Sequence, residues 1–356
     1  MKNYISTFSN LTLKYLVFAF FVGFGVLFFG CKSKENVIPD SDYVKIPDVN
    51  FEKALILRKI DDIQDGKVLR NNVLKVTYLA ISSLPENTNN NSDYGIVKDL
   101  TGIEAFVNLK TLHCLYSGLI NLDISKNIFL TELWCFDNQI INLDISKNTI
   151  LEELRCGYNS LTKLDISKNN NLKTVYCQNN KLTSLEIGQN NSLIELICSD
   201  NQINNLNVIK VSNLVLLDCS INKLLNLDIT KNITLQAIYC SFNNLSNLDL
   251  SQNKELVLLS CITNKLTKLD VSNNTKLEAI YCDDNQLLSL DINKNFNLQE
   301  FNCSKNQLSN LDFRTNDKLK YMKCQNNQIL TICVNSLSQP NSNWQKDPTA
   351  TYKVCP

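Results

Sequence analysis

Histidine is almost absent from this chain of 356 residues: there is one, beside six prolines and nine glycines. A single imidazole leaves little material for a His-based metal centre or an acid–base dyad. So few glycines and prolines argue against collagen-like segments and long flexible linkers. An excess of either charge is missing too. Lysine plus arginine equals aspartate plus glutamate at 35 each, so there is no electrostatic case for nucleic acid or an anionic membrane surface as partner. Neither a nucleophile elbow nor a phosphate-binding loop occurs.

What is present in phase is cysteine. Of 14 cysteines, eleven run from Cys114 through Cys135, Cys156 and Cys177 to Cys324 at a constant step of 21 residues. Self-similarity at a fixed period marks a repeat protein. Such an array lengthens its core instead of thickening it, so length says little about domain count. Each unit reads Leu-x-x-Leu-x-Cys-x-x-Asn-x-Leu-x-x-Leu-Asp-Ile-Ser-Lys-Asn, as from Leu130 to Asn148. Alternation across Leu133, Trp134 and Cys135 predicts a short strand with Leu and Cys inward and Trp outward. One strand per coil, stacked ~4.8 Å apart, makes a parallel sheet, and ten steps make an array roughly 50 Å long.

Two polar columns accompany the cysteines. Asn138, Asn159, Asn180 and their successors to Asn327 follow each strand, with Ser117 the exception. A short amide there supplies donor and acceptor to buried backbone, so the column reads as structural. The second column runs from Asp123 to Asp312, with Glu186 and Asn207 as substitutes. A carboxylate row could suggest calcium. The better reading is that each Asp accepts amides of its own Ser-Lys-Asn turn, a role Asn can fill and a cation site tolerates poorly. No metal and no cofactor are expected.

The cysteine ladder itself admits metal, disulfide or burial. Zinc sites cluster their ligands at short spacing. Neighbouring coils would place Cβ atoms about 4.8 Å apart, beyond the usual disulfide range of about 3.5–4.5 Å. Burial as a small apolar filler accounts for every member at once. Cys333 and Cys355 fall outside the 21-residue phase, and in an exported protein such a pair reads as a disulfide.

The ends differ from the array. Lys2 and Lys14 precede an uncharged apolar run from Tyr15 to Phe29, followed by Gly30 and Cys31. This reads as a bacterial export signal ending in a lipobox, with lipid on Cys31 holding the chain at a membrane outside the cytoplasm. The alternative is an uncleaved anchor, for which the run is slightly short. The expected organisation is a lipoprotein signal peptide at 1–30, a polar tether at 31–41, an N-terminal cap with divergent first repeats at 42–108, repeats at 109–328 and a C-terminal cap at 329–356. In the first cap, Asp48 caps a helix with Phe51, Ala54 and Leu55 on its apolar face. The acidic stretch Asp61 to Gly66 reads as a turn, Asn72 to Ile81 as a strand, and Pro85 to Asp93 as an exposed loop. Trp344 and Tyr352 are expected to cover the last coil.

With packing accounting for the inward positions, function falls to those facing out of the sheet. In the first four coils these carry His113, Tyr116, Trp134, Phe136, Arg155, Tyr158 and Tyr176. The repeat does not require aromatics there. Trp, Tyr and Arg dominate interface energetics, and an exposed aromatic cluster marks binding. The competing reading is that the cap folds over this end. Tyr239, Phe242 and Tyr281 form a sparser second group. A catalytic role is not expected, because Cys114 points to the face opposite His113. The ligand of such a face is a protein, with a glycan as the alternative.

The Leu-x-x-Leu-x-Cys-x-x-Asn-x-Leu core, the entry Asp99-Leu100-Thr101-Gly102-Ile103-Glu104-Ala105-Phe106 and the start Ile46-Pro47-Asp48 resemble the leucine-rich-repeat surface proteins of Bacteroidetes, with internalin-like repeats. The resemblance covers about residues 45 to 356. It implies an α/β, mostly β, single-superhelix solenoid of 21-residue coils with a parallel sheet on one face, capped at both ends. It also implies an extracytoplasmic binding role in adhesion or host interaction, with lipid on Cys31 attaching the chain to the outer membrane. No functional residue is shared by motif, because the recurring residues are the structural ones.

Overall fold

A computed structural model describes residues 40–82 and 95–356. The export signal, Cys31, nearly all of the tether and the Pro85 to Asp93 loop lie outside the described residues. Among the described residues no helix is long and apolar enough to cross a membrane.

The array is a solenoid with one short strand per coil. Its main sheet has thirteen strands, from Tyr78–Ala80 and Thr111–His113 to Tyr321–Lys323 and Trp344–Gln345. Successive strands are parallel and in strict register, so that Leu112, Leu133, Leu154, Val175 and Leu196 stack along one line. These side chains are completely buried, as are the cysteines from Cys114 to Cys303. Period-2 alternation therefore sends the first and third residue of each strand out of the sheet.

The cysteines are free thiols in the core. Their amides carry the ladder onward: Cys114, Cys135 and Cys156 donate to the carbonyls of Trp134, Arg155 and Tyr176, each at 2.8 Å. Burial pushes the Cys114 and Cys240 thiols up to about 12, which makes them poor nucleophiles and poor metal ligands. Among the described residues no group of His, Cys, Asp or Glu is arranged as a metal site.

Two residues after each cysteine the chain reverses through a left-handed residue. This holds from Tyr116 to Asn326, with φ between 51° and 59°, and includes the β-branched Ile221 and Thr263. Such a conformation costs about 1–2 kcal/mol for a residue with a Cβ. Neighbouring coils hold it in place: the Tyr158 amide donates to Gln178 O and that of Ile221 to Ser241 O, both at 2.8 Å. The asparagine that follows closes the turn as expected. Asn222 Nδ2 donates to the carbonyls of Cys198, Cys219 and Ser220, while its Oδ1 accepts the Ile203 amide at 2.9 Å. The aspartates also act within their turns: Asp123 accepts the Ser125 amide at 2.9 Å and Asp144 that of Ser146 at 2.8 Å. That hydrogen bond holds the Asp123 carboxyl below its ordinary range.

A second asparagine ladder went unread in the sequence. Asn127, Asn148, Asn169, Asn232 and Asn253 are fully buried. Asn253 Nδ2 donates to Ile229 O at 3.0 Å and Asn232 O at 2.8 Å. Val211 holds the same place in one coil, its amide still bonded to Val208 O at 3.1 Å.

The N-terminal cap is built on Asp48. Its Oδ1 accepts the Asn50 and Phe51 amides at the start of the helix Val49–Leu57, and its Oδ2 accepts those of Lys98 and Asp99. One carboxylate thus caps the helix and ties it to the first repeat. Gly102, at φ +106°, sits where a Cβ would lie 2.6 Å from Lys45 O, so only glycine fits. The acidic turn wraps onto buried Glu52, whose Oε1 accepts the amides of Asp65, Gly66 and Lys67. The strand expected over Asn72 to Ile81 is shorter than the pattern suggested. Arg70–Val73 is helical and only Tyr78–Ala80 is extended, because Asn72 turns inward to donate to Ile60 O at 2.9 Å.

At the other end the 21-residue period fails but the stacking continues. Trp344–Gln345 adds a last rung to the main sheet, and Thr351–Val354 pairs with Thr331–Val334. Trp344 lies on Phe313 with ring centres 5.3 Å apart and on Tyr352 at 6.1 Å. Cys333 and Cys355 are joined as a disulfide, with Cα atoms 5.4 Å apart.

Candidate binding face

The strand register brings four of the seven outward residues into one column. Trp134 is flanked in register by His113 and Arg155, and Arg155 by Tyr176. The His113 and Trp134 rings stack face to face, with centres 4.0 Å apart and planes inclined by 8°. The Arg155 guanidinium lies 4.4 Å from the Trp134 ring centre and 5.0 Å from that of Tyr176. A fifth member comes from the cap: Tyr78 meets His113 edge-on at 5.6 Å. Among the described residues the cap adjoins this end through Tyr78, which is itself 59% exposed.

A file of carboxylates holds the column. Glu132 Oε1 accepts from His113 Nε2 at 2.8 Å, and Glu153 Oε1 accepts from Trp134 Nε1 at 3.0 Å and Arg155 Nε at 2.5 Å. Glu195 accepts the Tyr176 hydroxyl, and burial together with this bond raises that phenol well above its ordinary range. Each glutamate opens its strand and reaches back to the preceding rung, or in the case of Arg155 along its own. The sequence reading missed these acids and Tyr78. The available signal was Glu recurring at the first position of the strands Glu132–Trp134, Glu153–Arg155 and Glu195–Ile197.

The remaining three residues lie beyond the strand. Tyr116 and Phe136 pack edge to face, with ring centres 5.6 Å apart. Tyr158 stands at a left-handed position and is 51% exposed. The patch is thus less open than its composition implied. The faces of Trp134 are taken by His113 and Arg155, so the column shows ring edges, polar tips and carboxylates to solvent.

Further along, the same outward line carries Asp218, Tyr239, Ser260 and Tyr281 in register. Tyr281 donates its hydroxyl to Glu300. Phe242, one of the second group, is 41% exposed. Carboxylates outnumber cations on this face: its strands carry Glu132, Glu153, Glu195, Asp218 and Glu300 against Arg155 and Lys323. The chain as a whole is neutral, so compensating lysines lie elsewhere, among them Lys126, Lys147 and Lys231 in the far turns.

No protein-family model matches the sequence, and no curated protein does. Solved structures do. The functional domain of InlJ from Listeria monocytogenes, described as including a cysteine ladder, is 27% identical, with 85% of this chain and 80% of that one covered at a TM-score of 0.53. The leucine-rich-repeat protein LIC12759 of Leptospira interrogans is 25% identical over 71% of this chain and 70% of its own, at a TM-score of 0.63. The internalin InlF of Listeria monocytogenes shares the fold at 17% identity, with coverage of 86% and 95% and a TM-score of 0.59. The fold is that of leucine-rich-repeat proteins.

Proposed function

We propose that this chain is a binding module of the bacterial cell envelope, anchored by lipid on Cys31 in the manner of Bacteroidetes surface lipoproteins, whose sheet face recognises a protein partner. The observation that carries the reading is the column Tyr78, His113, Trp134, Arg155 and Tyr176, with its glutamates. Rings and guanidinium are locked by stacking and by charge-assisted hydrogen bonds, so little side-chain freedom is lost when a partner docks. Rigid aromatic and Arg anchors set in a polar surround are what protein hot spots use.

The column also bears on the glycan alternative. Sugar recognition by stacking needs an open ring face, and Trp134 has none, being covered by His113 and Arg155. Edge contacts and hydrogen bonds suit a protein surface better. His113 is engaged by Glu132, and the neighbouring Cys114 is buried in the core, so the two do not form a nucleophile–base pair.

The test is a pair of substitutions. Trp134→Ala is expected to weaken partner binding by about 2 kcal/mol or more, while Lys318→Ala, at the other end of the array and outside the sheet face, leaves it unchanged. Equal effects would rule the column out as the contact. Anchoring is checked separately: Cys31→Ala should abolish acyl labelling, and protease shaving of intact cells decides between the surface and the periplasmic side.

A further inference from the structure

Arg155 shows how this face holds a cation. Its guanidinium sits between Trp134 and Tyr176, 4.4 Å and 5.0 Å from their ring centres, with Glu153 against its Nε. The two rings occupy the same strand position two rungs apart, and the rung between them supplies the cation. Two rungs span about 9.6 Å, the width of a guanidinium with a ring on either side.

The arrangement of rings recurs further along. Tyr239 and Tyr281 hold the corresponding strand position, again two rungs apart, and the residue in register between them is Ser260. Here the intervening side chain ends at a hydroxyl, which is 2.8 Å from Ser241 Oγ and only 7% of the residue is exposed. Acids lie nearby. Asp218 is in register beside Tyr239 but two rungs from Ser260, beyond the Tyr239 ring. Asp283 follows Tyr281 by two residues, its Oδ1 accepting from Asn302 Nδ2 at 2.8 Å. Glu300 accepts the Tyr281 hydroxyl. The nearby cations are Lys305 and Lys323. Burial pushes the Asp283 carboxyl up to about 6, as desolvation does for a carboxylate.

The geometry points to a receptor for one arginine side chain of a protein partner, its guanidinium entering over Ser260 between Tyr239 and Tyr281, with Asp283 taking its charge. The two flanking rings repeat the Arg155 arrangement, while the carboxylate is Asp283 on the neighbouring rung, since Leu258 stands where Glu153 precedes Arg155. It rests on the reading of the sheet face as the binding face, and adds that the partner presents a cationic, arginine-bearing surface to the second half of the array.

The probe is a short capped peptide, acetyl-Thr-Gly-Arg-Gly-Thr-amide, beside the same peptide with citrulline, which keeps the shape and removes the charge. Binding to the whole folded chain is followed by the NMR shifts of tyrosine ring protons and by titration calorimetry. The arginine peptide is expected to bind at least about tenfold more tightly than the citrulline peptide. Asp283→Asn and Tyr281→Leu should each weaken it severalfold, and Lys231→Gln, in a far turn, should not. Ser260→Arg provides a second reading that does not depend on losing a side chain. An arginine placed on that rung should restore the Arg155 arrangement, leave the melting temperature unchanged or higher, and abolish binding of the peptide. Equal affinity for the two peptides, or a Ser260→Arg protein that is destabilised and still binds the probe, overturns the proposal. Those results would leave the binding role of the column untouched. Loss of the Trp134 effect on partner binding would count against the column and leave the arginine site standing.

Discussion

Replacing one asparagine from each ladder by valine separates the two roles the structure gives them. Asn222→Val removes the acceptor of the Ile203 amide and the donor to the carbonyls of Cys198, Cys219 and Ser220. The Ile203 amide is left without a partner, while each carbonyl keeps a second donor: Asn201 Nδ2 on Cys198 O, Asn243 Nδ2 on Cys219 O and the Asp200 amide on Ser220 O. At about 1–3 kcal/mol for a buried amide left unsatisfied, with a smaller loss for the three donor bonds, the cost comes to about 3 kcal/mol. Asn253→Val loses the two donor bonds to Ile229 and Asn232. Its Oδ1, however, has no partner to lose, and Val211 already stands in this column. Burial of the valine methyls offsets part of the loss, leaving about 1–2 kcal/mol. The assay is urea unfolding followed by circular dichroism, with hydrogen exchange read coil by coil. Since each coil contacts only its neighbours, Asn222→Val should also uncouple the halves of the array and broaden the transition. Equal costs for the two variants, or a greater cost at Asn253, would refute the assignment of acceptor and donor roles.

Three further outcomes follow from local features. Reducing the Cys333–Cys355 disulfide, or replacing both residues by serine, should destabilise the C-terminal cap by about 3 kcal/mol on the chain-entropy model, seen as earlier exchange of the amides of Thr331–Val334 and Thr351–Val354. Ile221→Asn should raise stability by about 0.5–1 kcal/mol, because Ile221 is strained at φ 54° and 41% exposed, whereas asparagine tolerates the left-handed region; a lower midpoint in urea would contradict this. Burial, with Glu52, Asp62 and Asp65 nearby, pushes the Asp61 carboxyl up to about 6. A folded-state value above the unfolded one means stability is greatest below about pH 4 for this group and falls as pH rises through about 6. Asp61→Asn should therefore stabilise at pH 8 relative to pH 5 by about 1 kcal/mol, after discounting for solvent screening. A pH-independent effect would show that the charge is not the cause.

Most of the fold was legible because the 21-residue step fixes the strand phase, and the strand phase fixes which side chains enter the core. The hydrogen-bonding role of Asn222 was legible because a single amide recurs where the chain must turn. Asn253 was not, since Asn at the end of a Ser-Gln-Asn turn has a local explanation in turn preference, and its donation to the preceding coil shows only in three dimensions. The column was legible as a set of residue types and not as an arrangement. The sequence places Trp134 and Arg155 on the same line, but their stacking depends on side-chain direction, and the partnership of His113 with Glu132 spans 19 residues. The extra rung at Trp344 was hidden because a strand of two residues carries no periodicity.

Site-specific photo-crosslinking in the producing cells tests the central claim most directly. A photoreactive phenylalanine is placed at Ser199 or Ser220, beside the outward sheet positions, and at Lys126 or Lys231 in the far turns. The account predicts discrete protein adducts from the sheet-face positions and none from the far turns. Adducts from the far turns alone, or from all four positions alike, would contradict it.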